Sequence, residues 1–380
     1  MTPNPPAVFL YTDDFANNAY PPASPFRTER VRQTRDTARS MGMLGDTANI
    51  EREPVPAARS EIEMFHDPSY LDLLREAENG RMDLEMLRHG LGTPDCPVFR
   101  GMVAYSALAC GASMQGARLL ADGKASVVFN PAGGLHHAGP DYAAGFCYMN
   151  DVVLAALALA ENGRRVFCLD LDAHHGDGTQ NAFYKRRDVF TLSMHESGRT
   201  LFPGTGFENE IGSGDGRGFC ANIPLPVGTY DDAFRKAFET IAWPLLQAFA
   251  PDIVIVELGM DGLAGDPLAH LHLTNNVFAD ILRRVLELGK PILATGGGGY
   301  NVPNTVRGWA LAWSVLSRHD TAQHDPTLGM GGVMLENAEW SGGLRDRVLL
   351  SDAGDRGAMD RAIAHTVETL EKTLFPIHGI

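Results

Sequence analysis

Val166-Phe-Cys-Leu-Asp170-Leu-Asp172-Ala-His174-His175-Gly-Asp177-Gly178 decides how this chain is read, because an apolar strand runs straight into acids and imidazoles. In extended backbone, side chains alternate between faces, so Asp170, Asp172 and His174 share one face while Leu171 and Ala173 take the other. Burying carboxylates there is costly unless a cation stands beside them. Carboxylate oxygens and a neutral imidazole nitrogen are ligands for Zn2+. Taken alone, the segment also fits a surface turn rich in Asp and His.

Outward from it, short β-rich runs bounded by turn residues recur at Ala7–Tyr11, Ser126–Phe129, Val189–Ser193, Ala221–Leu225, Ile253–Glu257 and Ile292–Thr295. Helical periodicity marks Arg27–Met41, Met102–Leu120, Asp151–Glu161, Asp231–Ala248, Asn275–Leu288 and Thr305–Ser317, with a further helix near Arg361–Leu374. Strands such as Ile253-Val-Ile-Val-Glu257 are nearly continuously apolar, as parallel strands covered on both faces should be. The expectation is an α/β fold with a largely parallel central sheet and helices on both faces. No repeat or linker divides the chain, so residues 1–380 are read as a single domain, with an irregular stretch over His319–Asp355.

Three more strand ends carry chemistry. Ile253–Glu257 leads into Leu258-Gly-Met-Asp261, and ligands of open α/β sheets gather beyond the carboxyl ends of strands, which makes Asp261 a third metal ligand candidate. Asp172, His174 and Asp261 leave one zinc position open, the pattern of a catalytic site. Asn130-Pro-Ala-Gly-Gly-Leu-His136-His137 delivers two imidazoles, one of them a candidate general base, and Asp170 and Asp177 are free to hydrogen-bond them. Gly296-Gly-Gly-Gly-Tyr300 lacks the Lys-Ser/Thr of a phosphate cradle; its glycines instead permit a backbone path that brings the Tyr300 phenol to a developing oxyanion. Fe2+ and Co2+ accept similar donors.

The chain holds 32 Lys and Arg against 47 Asp and Glu, a formal charge of −15, which disfavours nucleic acid and anionic membranes as partners and serves solubility, the better reading, or draws in cationic ligands. Five cysteines without a C-x-x-C pair argue against a disulfide framework and a thiolate zinc site. The longest apolar run, Val152–Ala160, is too short to span a bilayer. With no signal peptide pattern at the start, the expected location is the cytoplasm. Nothing in the sequence fixes an oligomeric state.

Together these segments resemble the zinc-dependent histone deacetylase superfamily, in its class I-like and bacterial acetoin-utilisation forms, with the arginase/deacetylase fold. The motifs stand in family order: Asp95-Cys-Pro-Val-Phe99, Gly134-Leu-His-His-Ala138, Gly145-Phe-Cys-Tyr-Met-Asn-Asp151, the Asp170–Gly178 segment, Phe202-Pro-Gly-Thr-Gly206, Asp261-Gly-Leu-Ala-Gly-Asp-Pro267 and Gly296–Asn301. The resemblance implies one catalytic Zn2+ on Asp172, His174 and Asp261. It implies His137 with Asp177 as general base and later acid, His136 with Asp170 as electrostatic partner, and Tyr300 as oxyanion donor. It places Phe146 and Phe202 as tunnel walls, Gly145 as a backbone acceptor, Leu268 near the rim and Asp95 as the rim acid. It also implies structural K+ on Asp170, Asp172, His174, Ser193 and Met194. The element usually written His-Pro-x-x-Pro-x-Arg appears as Ser24-Pro-Phe-Arg-Thr-Glu-Arg30, and Met260 precedes Asp261 where a smaller residue or Phe is usual.

The activity so implied is hydrolytic removal of acetyl or another acyl group from lysine Nε in proteins or peptides. The alternatives are deacetylation of small cationic amides such as acetylpolyamines, an inactive acyl-lysine binding module, and a two-metal ureohydrolase. For the last, the single Asp/His/Asp set lacks further ligands.

Overall fold

Runs of Val, Ile, Leu and Phe between turn residues form most of eight strands: β1 Ala7–Leu10, β2 Asn49–Arg52, β3 Val127–Asn130, β4 Val166–Asp170, β5 Val189–Glu196, β6 Cys220–Leu225, β7 Ile253–Glu257 and β8 Ile292–Thr295. All pair in parallel, in the order β2-β1-β3-β8-β7-β4-β5-β6. The computed structural model describes residues 5–18, 20–320, 343–347, 349 and 353–380. The irregular stretch expected over His319–Asp355 lies largely outside them. Among the described residues no helix is long and apolar enough to cross a membrane, and all five cysteines are buried and unpaired.

Both faces of the sheet are covered. Helices Met102–Ala121, Asp151–Ala160 and Asp177–Phe183 pack on one side, where Asn130 Nδ2 donates to the Ala109 carbonyl. On the other, Phe129 stacks on Trp313 of helix Val302–Leu316 at 6.4 Å, and Phe190 meets Phe249 and His378 at 5.6 Å each. This double cover explains why β3, β4, β7 and β8 are buried at every position.

One rung breaks the apolar rule. At the last residues of β3, β8, β7 and β4, and within β5 and β6, the register aligns Asn130, Thr295, Glu257, Asp170, Ser193 and Asn222. Residues on one rung of a parallel sheet point to the same face, so these polar groups form a buried row facing the Met102–Ala121 side. The rung before it, Phe129, Ala294, Val256, Leu169, Leu192 and Ala221, is wholly apolar. In the four central strands β3, β8, β7 and β4, polarity thus begins where the strand ends.

Three departures from the sequence reading have physical causes. β2 is a partly exposed edge strand, Asn-Ile-Glu-Arg, which buries too little to show an apolar run. Helix Pro68–Glu78, absent from the sequence reading, carries both a cap, with the Asp67 side chain accepting the Ser69 amide and Pro68 in the first turn, and a buried stripe of Tyr70, Leu71, Leu73, Leu74 and Ala77. The helix expected over Asp231–Ala248 is present as Asp231–Ala237 and Trp243–Phe249 joined by a widened turn at Phe238–Ala242, since Pro244 has no amide hydrogen to give the preceding turn. The C-terminal helix runs over Ala353–His378, with Ile363, Leu370 and Leu374 buried along one stripe.

Arg30, on helix Glu29–Ser40, links the N-terminal region to the sheet. Its guanidinium is buried between the rings of Phe26 and Trp309, at 4.4 and 4.8 Å, and donates to the carbonyls of Gly297 and Gly299 at 2.6 and 2.7 Å. Two fixed donors on one planar group are what Arg supplies and Lys cannot. Arg30→Ala strands two buried carbonyls and leaves a void, so it is expected to destabilise the fold by about 2–4 kcal/mol in urea unfolding. A loss under about 1 kcal/mol would show that the Gly-rich loop holds itself.

Candidate active site

β4 ends at Asp170, so Asp172 and His174 do not continue an extended face as the sequence suggests; they sit on the turn beyond it. Asp261 follows β7, the neighbour of β4. One ligand atom from each of Asp172, His174 and Asp261 lies within 4.8 Å of the others, and all three side chains are buried. His174 Nδ1 stands 2.8 Å from Asp261 Oδ2 and 3.2 Å from Asp172 Oδ1.

Backbone amides orient the two acids. Gly298 N–H donates to Asp172 Oδ2 at 2.6 Å, His174 N–H to Asp172 Oδ1 at 2.9 Å, and Ala173 N–H to Asp261 Oδ1 at 2.9 Å. The approach is too close for side chains: a Cβ on Gly259 would lie 1.9 Å from Asp172 Oδ2, and one on Gly298 would lie 2.0 Å from Asp261 Oδ2. Two convergent carboxylates and one imidazole, buried and fixed by second partners, are a donor set that fits a divalent cation of zinc's size and ligand taste.

The paired imidazoles enter from the loop after β3. Asp151 accepts the amides of Gly134 and Leu135 at 3.0 and 2.8 Å, and Asn150 Nδ2 donates to the carbonyls of His136 and Ala138, both at 3.1 Å. Asn150 is itself held by His66, whose Nε2 accepts the Asn150 amide at 2.9 Å. Burial pushes His66 down to about 4, which preserves that acceptor.

His136 Nδ1 meets Asp170 Oδ2 at 2.9 Å, His137 Nδ1 meets Asp177 Oδ1 at 2.7 Å, and the two Nε2 atoms face each other at 3.0 Å. Their environments drive them apart. Burial opposes a charge on His136, but the Asp170 carboxylate outweighs it and pushes the group up to about 9. For His137, burial and then the neighbouring His136 charge win over the Asp177 hydrogen bond, pushing it down to about 4. The two adjacent rings thus differ in proton affinity, His136 upward and His137 downward.

Tyr300 follows the Gly-rich loop, its ring 6.4 Å from that of His174. Asp266 Oδ2 accepts the amides of Tyr300 and Asn301 at 2.7 and 3.3 Å, while its Oδ1 accepts that of Leu268 at 2.9 Å. Phe202 lies 5.0 Å from the His137 ring and Phe146 5.6 Å from the Tyr300 ring. Phe146 holds a left-handed backbone (φ 66°), a conformation costly for a bulky residue and found where geometry is constrained by function. Gly145 abuts His137, whose Cδ2 would lie 2.3 Å from an added Cβ. Asp95 is exposed, and no described contact ties it to the cluster; its neighbour Cys96 reaches the Cys147 carbonyl at 3.9 Å. Ser193 of β5 pairs in register with Asp170, and Met194 follows it; both are buried.

Sequence reasoning leaves four contributors unassigned: His66, Asn150 with Asp151, Asp266 and Glu257. Asn150 and Asp151 had a signal, an Asn cap followed by an acid before an apolar run. Glu257 completes a second potential ligand grouping with His136 and Asp172, so the single Asp/His/Asp set is not the whole inventory.

A family model described as the histone deacetylase domain matches residues 24–316. Histone deacetylase RPD3 of Saccharomyces cerevisiae is 35% identical, over 82% of this chain and 71% of its own. Acetoin utilization protein AcuC of Bacillus subtilis is 37% identical over 84% of each, and histone deacetylase 8 of Xenopus laevis 40% identical over 70% of this chain and 82% of its own. Among solved structures, an HDAC homolog from Aquifex aeolicus superposes with a TM-score of 0.83 at 30% identity, covering 96% of this chain and all of that one. A parallel sheet that gathers two acids and three imidazoles at its strand ends, matched over this length to these proteins, places the chain in the histone deacetylase family.

Proposed function

We propose that this deacetylase family member is a zinc-dependent hydrolase that removes acetyl or another acyl group from lysine Nε in proteins or peptides. The observation that carries the reading is the opposed pair, His136 and His137, set against the Asp172, His174, Asp261 cluster. Zinc bound there supplies a Lewis acid that polarises the acyl carbonyl and acidifies water. His137 accepts the water proton at Nε2 while Asp177 holds its Nδ1–H. His136, kept charged by Asp170, offsets the negative charge that develops on the attacked carbonyl. Tyr300 donates its phenolic O–H to that oxygen, and His137 returns its proton to the leaving amine. Phe146 and Phe202 give the aliphatic stem of a lysine two aromatic faces, with Gly145, beside His137, as a backbone acceptor and Leu268 and Asp95 as rim residues. The oxygen donors of Asp170 and Ser193, with the backbone around Asp172, His174 and Met194, suit a structural K+.

The formal charge of −15 favours a second reading, deacetylation of small cationic amides such as acetylpolyamines. Rates on acetyl-lysine peptides, longer acyl-lysine peptides and acetylpolyamines separate the two. The first reading expects the peptides to turn over faster, and a preference of tenfold or more for polyamines would replace it.

Tyr300→Phe removes one oxyanion donor without changing the ring, and is expected to cut kcat by about 10²–10³-fold with little effect on folding. Near-normal turnover would remove Tyr300 from the mechanism. Gly298→Ala intrudes on both metal-binding acids and is expected to weaken zinc affinity by about 10–100-fold. Metal titration of the folded variant against the wild type checks this, and equal affinity would mean that the loop yields.

A further inference from the structure

Glu257 is the one charged residue of β7 and is 2% exposed. Its register neighbours are Asp170 on β4 and Thr295 on β8, so its side chain joins the buried polar rung. Oε1 lies 3.0 Å from His136 Nδ1, the nitrogen that Asp170 Oδ2 approaches at 2.9 Å. No donor, His136 Nδ1 included, is aligned for a hydrogen bond to that oxygen. A buried carboxyl oxygen left without a donor costs about 1–3 kcal/mol, and the His136 ring is the group placed to relieve it.

A single acceptor at Nδ1 lets an imidazole pivot about that contact, whereas acceptors from two strands fix the ring. The grouping of His136, Asp172 and Glu257 also has the spacing of a metal site. A cation there would need the Nδ1 lone pair, which the Asp170 contact assigns to an N–H, while Nε2 is turned to His137.

We infer that Glu257 is a positioning residue for His136: with Asp170 it brackets Nδ1, keeps a proton on that nitrogen and aims Nε2 at His137 and the reacting water. This rests on reading His136 and His137 as the acid–base pair, but its first test does not. In 15N-labelled wild-type protein without metal, the His136 ring is expected to show a protonated, slowly exchanging Nδ1 with a downfield proton, assigned by its loss in His136→Asn. An unprotonated Nδ1 overturns the inference whatever the enzyme acts on.

Glu257→Leu removes the carboxyl oxygen while keeping the bulk, and replacing a buried polar group that lacks a donor with an apolar residue of similar volume can be nearly neutral or stabilising. The variant is therefore expected to melt no lower than wild type and to bind one zinc per chain, yet to lose about 10–100-fold in kcat with KM within about twofold. Its His136 proton signal should move upfield. Glu257→Gln, which retains a carbonyl acceptor, should restore most of kcat. Wild-type kcat and an unmoved His136 signal in Glu257→Leu would refute the role. So would two transition ions per wild-type chain with one lost on substitution, which would make Glu257 a metal ligand instead. An unprotonated Nδ1 in the wild-type 15N spectrum overturns the inference even if neither variant folds. A protonated, bracketed Nδ1 with no deacylase activity would leave the positioning intact and sink the proposed reaction alone.

Discussion

Asp172 and Asp261 are buried within reach of the same imidazole, and much of the surrounding structure serves to make that tolerable. Carboxylates removed from water need donors or a cation. Here the donors are backbone amides of Ala173, His174 and Gly298, from turns that follow two different strands. Amides can serve two neighbouring acids at once only if the chain comes very close, which is why Gly259 and Gly298 lie where any side chain would strike an oxygen. The same electrostatic demand that shapes the backbone makes the cluster receptive to a divalent cation.

That demand propagates outward. The Gly-rich loop that brings Gly298 to Asp172 has little intrinsic order, and its carbonyls are tied by Arg30 from a helix at the other end of the sequence. Asp266 ties the residue after the loop, so Tyr300 is held between a buried guanidinium on one side and a buried carboxylate on the other. The Asp67-capped helix, His66 and Asn150 perform the corresponding task for the histidine loop. In both cases groups outside the cluster set the position of those within it.

The two adjacent histidines show how similar groups acquire opposite tasks. Both are buried, which opposes charge on each, and both have a carboxylate at Nδ1. His136 has the stronger negative surroundings and keeps a proton; that charge then disfavours one on His137. The division of labour follows from which ring lies over the polar rung, where Asp170 and Glu257 meet it from neighbouring strands.

The sequence by itself determined the elements and most of the donors. Short β-branched apolar runs bounded by turn residues read as strands buried on both faces, and the acids and imidazoles that follow them at Asp170, Asp172, His174 and Asp261 mark the carboxyl ends. What it did not hold was which strand lies beside which. Glu257 looks like the last residue of an ordinary strand until β7 is laid against β4, and His66 looks like a surface residue until its ring meets Asn150. β2 was illegible for a related reason, because an edge strand is specified by its partner more than by its own burial. Periodicity records the faces an element hides, whereas register, loop ties and the sharing of a proton among buried groups arise from contacts between distant segments, and only the folded arrangement of the sheet decided those.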